Sequence, residues 1–456
     1  MTSATPTTIP RESYDVVVIG GGPAGSTVAT LLADTGKSVL VLERETFPRF
    51  KIGESLIPGS YEVLGRLGML DKLRSSTFTK KYSVQFVSGS GKASAPFYFH
   101  EIDDSERSQT WQVLRSRFDQ MMLDNAREHG AEAVEGAAVH EVLFDGDPED
   151  PAAVATGVRA TVPTADGGRE RRDIAARAVV DATGQRAMLA RRLKLKESDP
   201  CLRMAAMFTH FEGAARDEGI DEGTTVILHT ENQDGWFWYI PLADNRVSVG
   251  VVEPLEILIK GRQGDPQKVF DEEIARCPGL IPRLKDARQV DEVRVLNDFS
   301  YTTREVAGNG WMLVGDACGF LDPMYSSGVL LALRSGELAA DALIAGFESD
   351  DLSAPSLGSY GTRLRSGMGA FKQLIYAFYT PGFSFAHFLK RHPEHRLPVI
   401  LILQGDVFDH DFDPLFKDLR AMLREITPAL SSHAVPADTV PAETGAAAGS
   451  VAVANA

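Results

Sequence analysis

Cysteine is scarce in this sequence. Cys201, Cys277 and Cys318 are the only three in 456 residues, and they lie far apart with no CxxC and no zinc-ligand spacing. A disulfide framework is thereby excluded, and a reducing, cytoplasmic setting is expected. Positive charge is also short, with 47 Lys and Arg against 63 Asp and Glu, a net −16. Such a chain lacks the basic surface that non-specific nucleic-acid binding requires, so neither nucleic acid nor anionic membrane is expected as a partner. Long apolar runs are missing as well. Residues 16–33 carry no charge for 18 positions, close to the length of a membrane span, but they include four glycines, a proline, a serine and two threonines. Strand, turn and helix fit them better than a span. The N-terminal MTSATPTTIPRE has no apolar h-region, so no signal peptide is expected. GxSxG, HExxH, Walker A and paired-carboxylate signatures are absent.

What is present is ordinary globular material, 43% apolar and 24% charged. At roughly 150 residues per domain the length suggests about two or three domains. Residues 14–19 (YDVVVI) read as a buried parallel strand, residues 20–25 break it, and residues 26–35 have helical spacing. Residues 39–42 form a second buried strand, ending in Glu43-Arg44. Residues 115–130 read as a helix, and 139–143, 156–162 and 178–181 as strands. Residues 204–252 are a β-rich block, 278–287 a helix, 310–316 a buried strand and 327–345 a helix. From residue 358 onward the chain is helical and aromatic-rich. Residues 431–456, rich in Ala, Val, Pro, Thr and Gly without periodicity, read as a disordered tail.

The sharpest local signal is G-x-G-x-x-G at Gly20, Gly22 and Gly25, with Pro23 and Ala24 between the last two. It follows a strand, opens a helix, and Glu43 stands 18 residues after Gly25 at the end of the next strand. The dinucleotide fingerprint requires that context. Gly20 makes the turn, Gly22 lets backbone approach a pyrophosphate, and Gly25 lets helix and strand pack. The helix N-terminus offers free N–H groups to phosphate.

Val113-x-Arg115-x-x-Phe118-Asp119, Asp181-Ala182-Thr183-Gly184 and Leu313-Val314-Gly315-Asp316-Ala317 follow in order. With the fingerprint, they resemble the para-hydroxybenzoate-hydroxylase-like flavoproteins over roughly residues 12 to 345. The resemblance implies an α/β fold: a Rossmann-like FAD-binding domain (GR2/PHBH-like) with an inserted β-sheet substrate domain and a C-terminal helical region. FAD-binding segments would be 12–75, 106–200 and 300–345, the substrate domain 76–105 and 201–299, and the helical region 346–430. It also implies FAD as cofactor, with Glu43, Arg44, Arg115 and Asp316 around it.

Gly235-Trp236-Phe237-Trp238-Tyr239-Ile240-Pro241 resembles the W-x-W-x-I-P motif of flavin-dependent halogenases. Alternation puts Trp236, Trp238 and Ile240 on one strand face, where two indoles could wall a space beside the flavin. Residues 322–329 (DPMYSSGV) resemble the halide loop of that family, which implies halide at Ser327 and Gly328, with Gly328 also beside the flavin. Residues 78–86 (FTKKYSVQF) lie where halogenases carry an essential lysine. Lys81 aligns to it, and Lys80 is the one-residue-slip alternative. Tyr325 stands where tryptophan halogenases place a glutamate, which disfavours free tryptophan as substrate.

The resemblance therefore implies chlorination of a phenol or pyrrole, free or tethered to an acyl or peptidyl carrier protein, in specialised-metabolite or antibiotic biosynthesis. A separate flavin reductase would supply FADH2. O2 would form the C4a-hydroperoxide, chloride would attack it, and hypochlorous acid would reach Lys81. The alternatives are an FAD-dependent aromatic hydroxylase, a geranylgeranyl-reductase-like oxidoreductase, or a flavin-binding carrier-protein partner without turnover. No metal site is expected: His410 in DVFDHDFD reads as part of a solvated turn, and His392, His395 and Arg396 in RHPEHRLP as bordering a loop.

Overall fold

The computed structural model describes residue 9 and residues 11–260, 262 and 264–426; the expected tail at 431–456 lies outside them. Two large sheets organise the chain. The first runs, edge to edge, Ala307–Gly308, Trp311–Leu313, Arg169–Asp181, Ser13–Ile19, Val39–Glu43 and Glu132–Glu135. Its inner pairings are parallel, and Ala155–Pro163 pairs antiparallel with the long strand Arg169–Asp181 on one side and with Ala138–Phe144 on the other. Val16, Val17 and Val18 are fully buried. A strand covered on both faces takes a continuous β-branched run rather than an alternating one.

Residues 16–33 resolve into the strand Ser13–Ile19 and the helix Pro23–Ala33. Pro23 opens that helix because its missing N–H would have no intrahelical partner there. A Cβ at Gly25 would run into the Gly20 carbonyl oxygen, so the third glycine lets the helix start against the strand end. Among the described residues no helix is long and apolar enough to cross a membrane.

The second sheet runs Arg288–Gln289, Met204–Glu212, Arg246–Pro254, Trp236–Pro241, Thr225–His229, Ser83–Val87 and Phe97–Tyr98, with Arg294–Asn297 also paired to Met204–Glu212. Its two faces serve two cores. Phe208, Ile227, Trp236, Trp238 and Ile240 join the main core. Phe237, Tyr239, Val226, Leu228, Val249 and Val251 face a smaller one, closed by Val269 and Phe270 of the helix Pro266–Ala275. One residue of slip would exchange these sets, so the alternation fixes the register.

Two local expectations change. Residues 278–287 give only the four-residue helix Ile281–Leu284. The longer helix is Pro266–Ala275, which the sequence reading passed over; Asp265 caps it by accepting from the Gln267 N–H. The strand expected at 310–316 stops at Leu313, because Gly315 turns into positive φ and a 3-10 turn at Gly315–Ala317 follows. Thr79–Lys81 lies outside both large sheets. It pairs with Thr110–Gln112 in a two-stranded ribbon. Beyond residue 358 the helices Gly361–Tyr379, Phe385–Arg391, Arg396–Gln404 and Asp413–Ile426 pack on the main core.

Candidate active site

Register brings the separate motifs to one place. Ile19 pairs with Asp181 and with Leu42, and Asp181 pairs with Leu313. The Gly20–Gly25 turn, Glu43, the 182–184 turn and Gly315-Asp316 therefore leave the same carboxyl edge of the parallel sheet, where open α/β sheets bind ligands. A cavity of about 670 Å³ opens there. Gly20, Gly22, Pro23, Ala24, Glu43, Arg44, Arg115 and Asp316 all line it, and Gly25 sits behind them. A Cβ on Gly22 would find only the Arg49 guanidinium, at 3.7 Å, so its open side faces the cavity.

Electrostatics suit an anionic cofactor with one ribose-binding carboxylate. Glu43 is buried and accepts from the Gly21 and Glu45 N–H groups at 2.9 Å each. A carboxylate has acceptor capacity left after two such bonds. Arg115 begins the helix Arg115–Glu128 and is held there by paired bonds to Asp119 at 2.7 and 2.9 Å. Burial pushes the Asp316 carboxyl up to about 6, opposed by the charges of Arg115 and Lys51. Glu54 Oε2, on the cavity wall, is buried with no protein partner. The glycine turn, the helix start and this unused acceptor together fit a dinucleotide such as FAD.

The same cavity continues to Trp236, Trp238 and Ile240. The two indole centroids are 6.2 Å apart at 55°. Trp238 Nε1 donates to Ser248 Oγ at 3.1 Å, and Trp236 Nε1 donates to the Tyr379 hydroxyl at 2.8 Å. Tyr379 in turn sits 3.2 Å from both Asp322 carboxylate oxygens. Burial raises Asp322 to about 7. The indole strand, the helix Gly361–Tyr379 and the turn ahead of Ser327 thus form one hydrogen-bonded unit. Pro241 ends its strand, paired with Val247, away from the cavity wall.

In the loop at 322–329, Ser326 and Gly328 line the cavity, while Ser327 is 1% exposed and does not. Ser326 takes a left-handed conformation, φ 54°, and opens the 22-residue helix Ser327–Glu348. That helix presents its N-terminal N–H groups toward the cavity, a favourable environment for an anion. Tyr325 is buried, with its hydroxyl 3.2 Å from the Leu374 carbonyl.

Lys80 and Lys81 part completely. Lys80 is exposed, whereas Lys81 is 1% exposed. Lys81 Nζ donates to Ser55 Oγ at 2.8 Å and to the Leu56 carbonyl at 3.1 Å, and lies 5.5 Å from the Phe99 ring centroid. Burial alone pulls its pKa from 10.5 down to about 7. Ser55 lines the cavity, so the amine meets the cavity through that hydroxyl. Ser55 also shares a hydrogen bond with Thr225 Oγ1 at 2.9 Å, and Gln112 Nε2 donates to the same oxygen at 2.8 Å. Gln112 Oε1 is left without a partner. Sequence reasoning missed Ser55, Thr225, Gln112 and Tyr379, and gave Asp322 no role of its own within the segment 322–329. They come from three separate elements and two loops, and no spacing joins them.

The FAD binding domain family matches residues 13–351, most of the chain, and the protein belongs to it. It is 32% identical over 417 residues to the 1H-pyrrole-2-carbonyl-(peptidyl-carrier protein) chlorinase of Pseudomonas fluorescens, spanning 87% of this chain and 90% of that one. It is also 32% identical over 400 residues to the corresponding brominase of Pseudoalteromonas luteoviolacea, spanning 87% and 93%. Among solved structures, the flavin-dependent brominase Bmp2 superposes with a TM-score of 0.78 at 30% identity, over 91% of this chain and 99% of that one. Within the FAD-binding family, the chain is a flavin-dependent halogenase, an FAD-dependent enzyme.

Proposed function

We propose that this halogenase chlorinates a pyrrole or phenol, presented by a peptidyl or acyl carrier protein, with the Lys81 amine as the halogen-delivering group. One observation carries the reading. A fully buried lysine, its pKa lowered to about 7, reaches through Ser55 a cavity shared by the dinucleotide residues and the paired indoles. The lysine of an ordinary ribbon would be solvated, as Lys80 is.

Bound FAD, reduced by a separate reductase and reoxidised by O2, would supply the oxidising equivalent that turns chloride into hypochlorous acid. Gly20, Gly22, Glu43, Arg44, Arg115 and Asp316 would hold it, and the helix start at Ser327 and Gly328 would concentrate chloride. Trp236, Trp238 and Ile240 would keep the aromatic substrate out of the flavin region and exclude bulk water from the path to Lys81. The neutral amine can capture chlorine from hypochlorous acid, forming an N–Cl bond with release of water, or donate a hydrogen bond to it once protonated. Burial favours the amine. Tyr325 brings no carboxylate to the substrate, which suits a ring activated by its own nitrogen or phenol oxygen.

The two relatives named above act on carrier-bound pyrroles and support that substrate class. The test is product mass spectrometry with FAD, a reductase, NADH and chloride. The panel is pyrrolyl- and hydroxyaryl-carrier proteins, the free acids, and free tryptophan. A monochlorinated or dichlorinated carrier-bound ring supports the reading. Conversion of free tryptophan alone, or an exclusive demand for bromide, overturns it.

A further inference from the structure

The segment His392-Pro393-Glu394-His395 forms a 3-10 turn between the helices Phe385–Arg391 and Arg396–Gln404. By sequence it borders a loop and no more. Folding adds Asp418, from the helix Asp413–Ile426, to the same spot. His395 Nε2 lies 2.8 Å from Asp418 Oδ2; His392 Nδ1 lies 3.8 Å from that oxygen and 3.2 Å from Glu394 Oε1. One ligand atom from each of the four residues lies within 4.8 Å of all the others. Metal–nitrogen and metal–oxygen bonds of about 2.0–2.2 Å put the ligand atoms of a tetrahedral ion about 3.3–3.5 Å apart. The observed spacings bracket that value.

The imidazoles are also held in advance. The buried Phe388 ring lies parallel to His395, 5.8 Å away at 6°, and 5.3 Å from His392. The two imidazoles stack at 5.8 Å and 26°. Rings fixed before binding lose little freedom on binding. The flanking arginines do not neutralise the carboxylates: Arg391 is paired with Glu425 and Arg396 with Glu101. Three ligands from one short turn and a fourth from a distant helix place four donor atoms around one point. Two imidazole nitrogens with two carboxylate oxygens suit Zn2+ better than Mg2+ or Ca2+, which want oxygen alone, or Cu+, which wants sulfur.

We propose that His392, Glu394, His395 and Asp418 bind one Zn2+ and clamp the turn at 393–395 to the helix Asp413–Ile426. His395 would ligate through Nε2 with its proton on Nδ1. The clamp would tie together C-terminal helices packed, like Gly361–Tyr379, on the main core.

The experiment takes the full chain, dialyses it against a chelator and titrates it with ZnCl2 by calorimetry, following the melting temperature in parallel. The variants are Asp418→Asn, His395→Gln and, as a control at a separate His–Asp pair, His410→Ala. One equivalent of Zn2+, a raised melting temperature, and binding at least about tenfold weaker in Asp418→Asn and His395→Gln but not in His410→Ala are expected. Metal-free Asp418→Asn should melt with the wild type's circular-dichroism amplitude, which separates lost ligation from lost folding. No binding in the wild type, equal binding in all variants, or loss only in His410→Ala overturns the proposal and leaves His395–Asp418 as a hydrogen-bonded pair.

Discussion

Replacing Lys81 by methionine should remove halogenation and stabilise the protein at once, and the stabilising half can be worked from the structure. The drop from 10.5 to about 7, at 1.36 kcal/mol per pKa unit, favours amine over ammonium inside the fold by ~5 kcal/mol. The unfolded chain keeps an ordinary lysine. Between about pH 7 and 10.5 it binds the proton that the folded chain releases, so stability rises with pH across that window and is lowest below it. Linkage makes the lysine cost ~4 kcal/mol at pH 7 and ~2 kcal/mol at pH 9. Methionine carries no such cost. It loses the bonds to Ser55 and the Leu56 carbonyl, at ~1 kcal/mol each. Lys81→Met should thus be ~2 kcal/mol more stable than wild type at pH 7, and the gap should shrink by roughly 2–3 kcal/mol from pH 6 to pH 9.

Paired urea denaturation curves at pH 6, 7.5 and 9 read this directly. With reduced FAD in excess, Lys81→Met and Lys81→Ala should keep FAD binding and flavin reoxidation but lose product by about a hundredfold or more. Lys81→Arg should fail too, since guanidinium offers no free amine. A methionine variant that is less stable at pH 7, or a gap that does not move with pH, would refute the buried-amine argument. Full activity in Lys81→Ala with loss in Lys80→Ala would put the register one residue off.

Gly22→Val should fold and lose FAD in fluorescence titrations, because the added atoms enter the cavity rather than the protein; normal FAD binding would displace the fingerprint. Gly25→Ala should instead lose soluble protein, since its Cβ meets the Gly20 backbone. Tyr379→Phe strands the Trp236 N–H at ~1–3 kcal/mol, and should raise the ratio of hydrogen peroxide to halogenated product in a peroxide assay. Product formation at saturating reduced FAD should fall as pH drops below about 7, as Lys81 is protonated. NADH alone should bleach the flavin slowly in anaerobic stopped flow, and fast bleaching would argue against a separate reductase.

The parallel sheet was legible because its signals are local: a β-branched run, a glycine turn, an uninterrupted helix start. The face of Trp236, Trp238 and Ile240 was legible for the same reason, since alternation is a property of one strand. The helix Pro266–Ala275 was passed over because its apolar face is small; only Val269, Phe270 and Glu273 are buried. The ribbon position of Thr79–Lys81 was not legible at all. Whether a three-residue strand joins a large sheet or Thr110–Gln112 is decided by which backbone lies within reach.

The deepest gap between sequence and site concerns the lysine's state rather than its place. Alignment chose Lys81 over Lys80 by family position, a choice that says nothing about protonation. The structure supplies the physical reason the two differ. A short strand alternates its side chains, so one of two adjacent lysines must face in wherever the strand is covered on one side. Facing in, Lys81 finds a hydroxyl, a carbonyl and an aromatic ring but no carboxylate. With no counter-charge, burial lowers its pKa unopposed. Arg115, equally deep, keeps its charge because Asp119 lies one helical turn away. An aspartate introduced at Ser55 would make the same argument run backward. Ser55→Asp should return Lys81 to the ammonium form, remove the pH dependence of the methionine comparison, and abolish halogenation while leaving the cofactor cleft intact. Retained halogenation in a folded Ser55→Asp chain would show that the charge state of Lys81 is immaterial to the reaction.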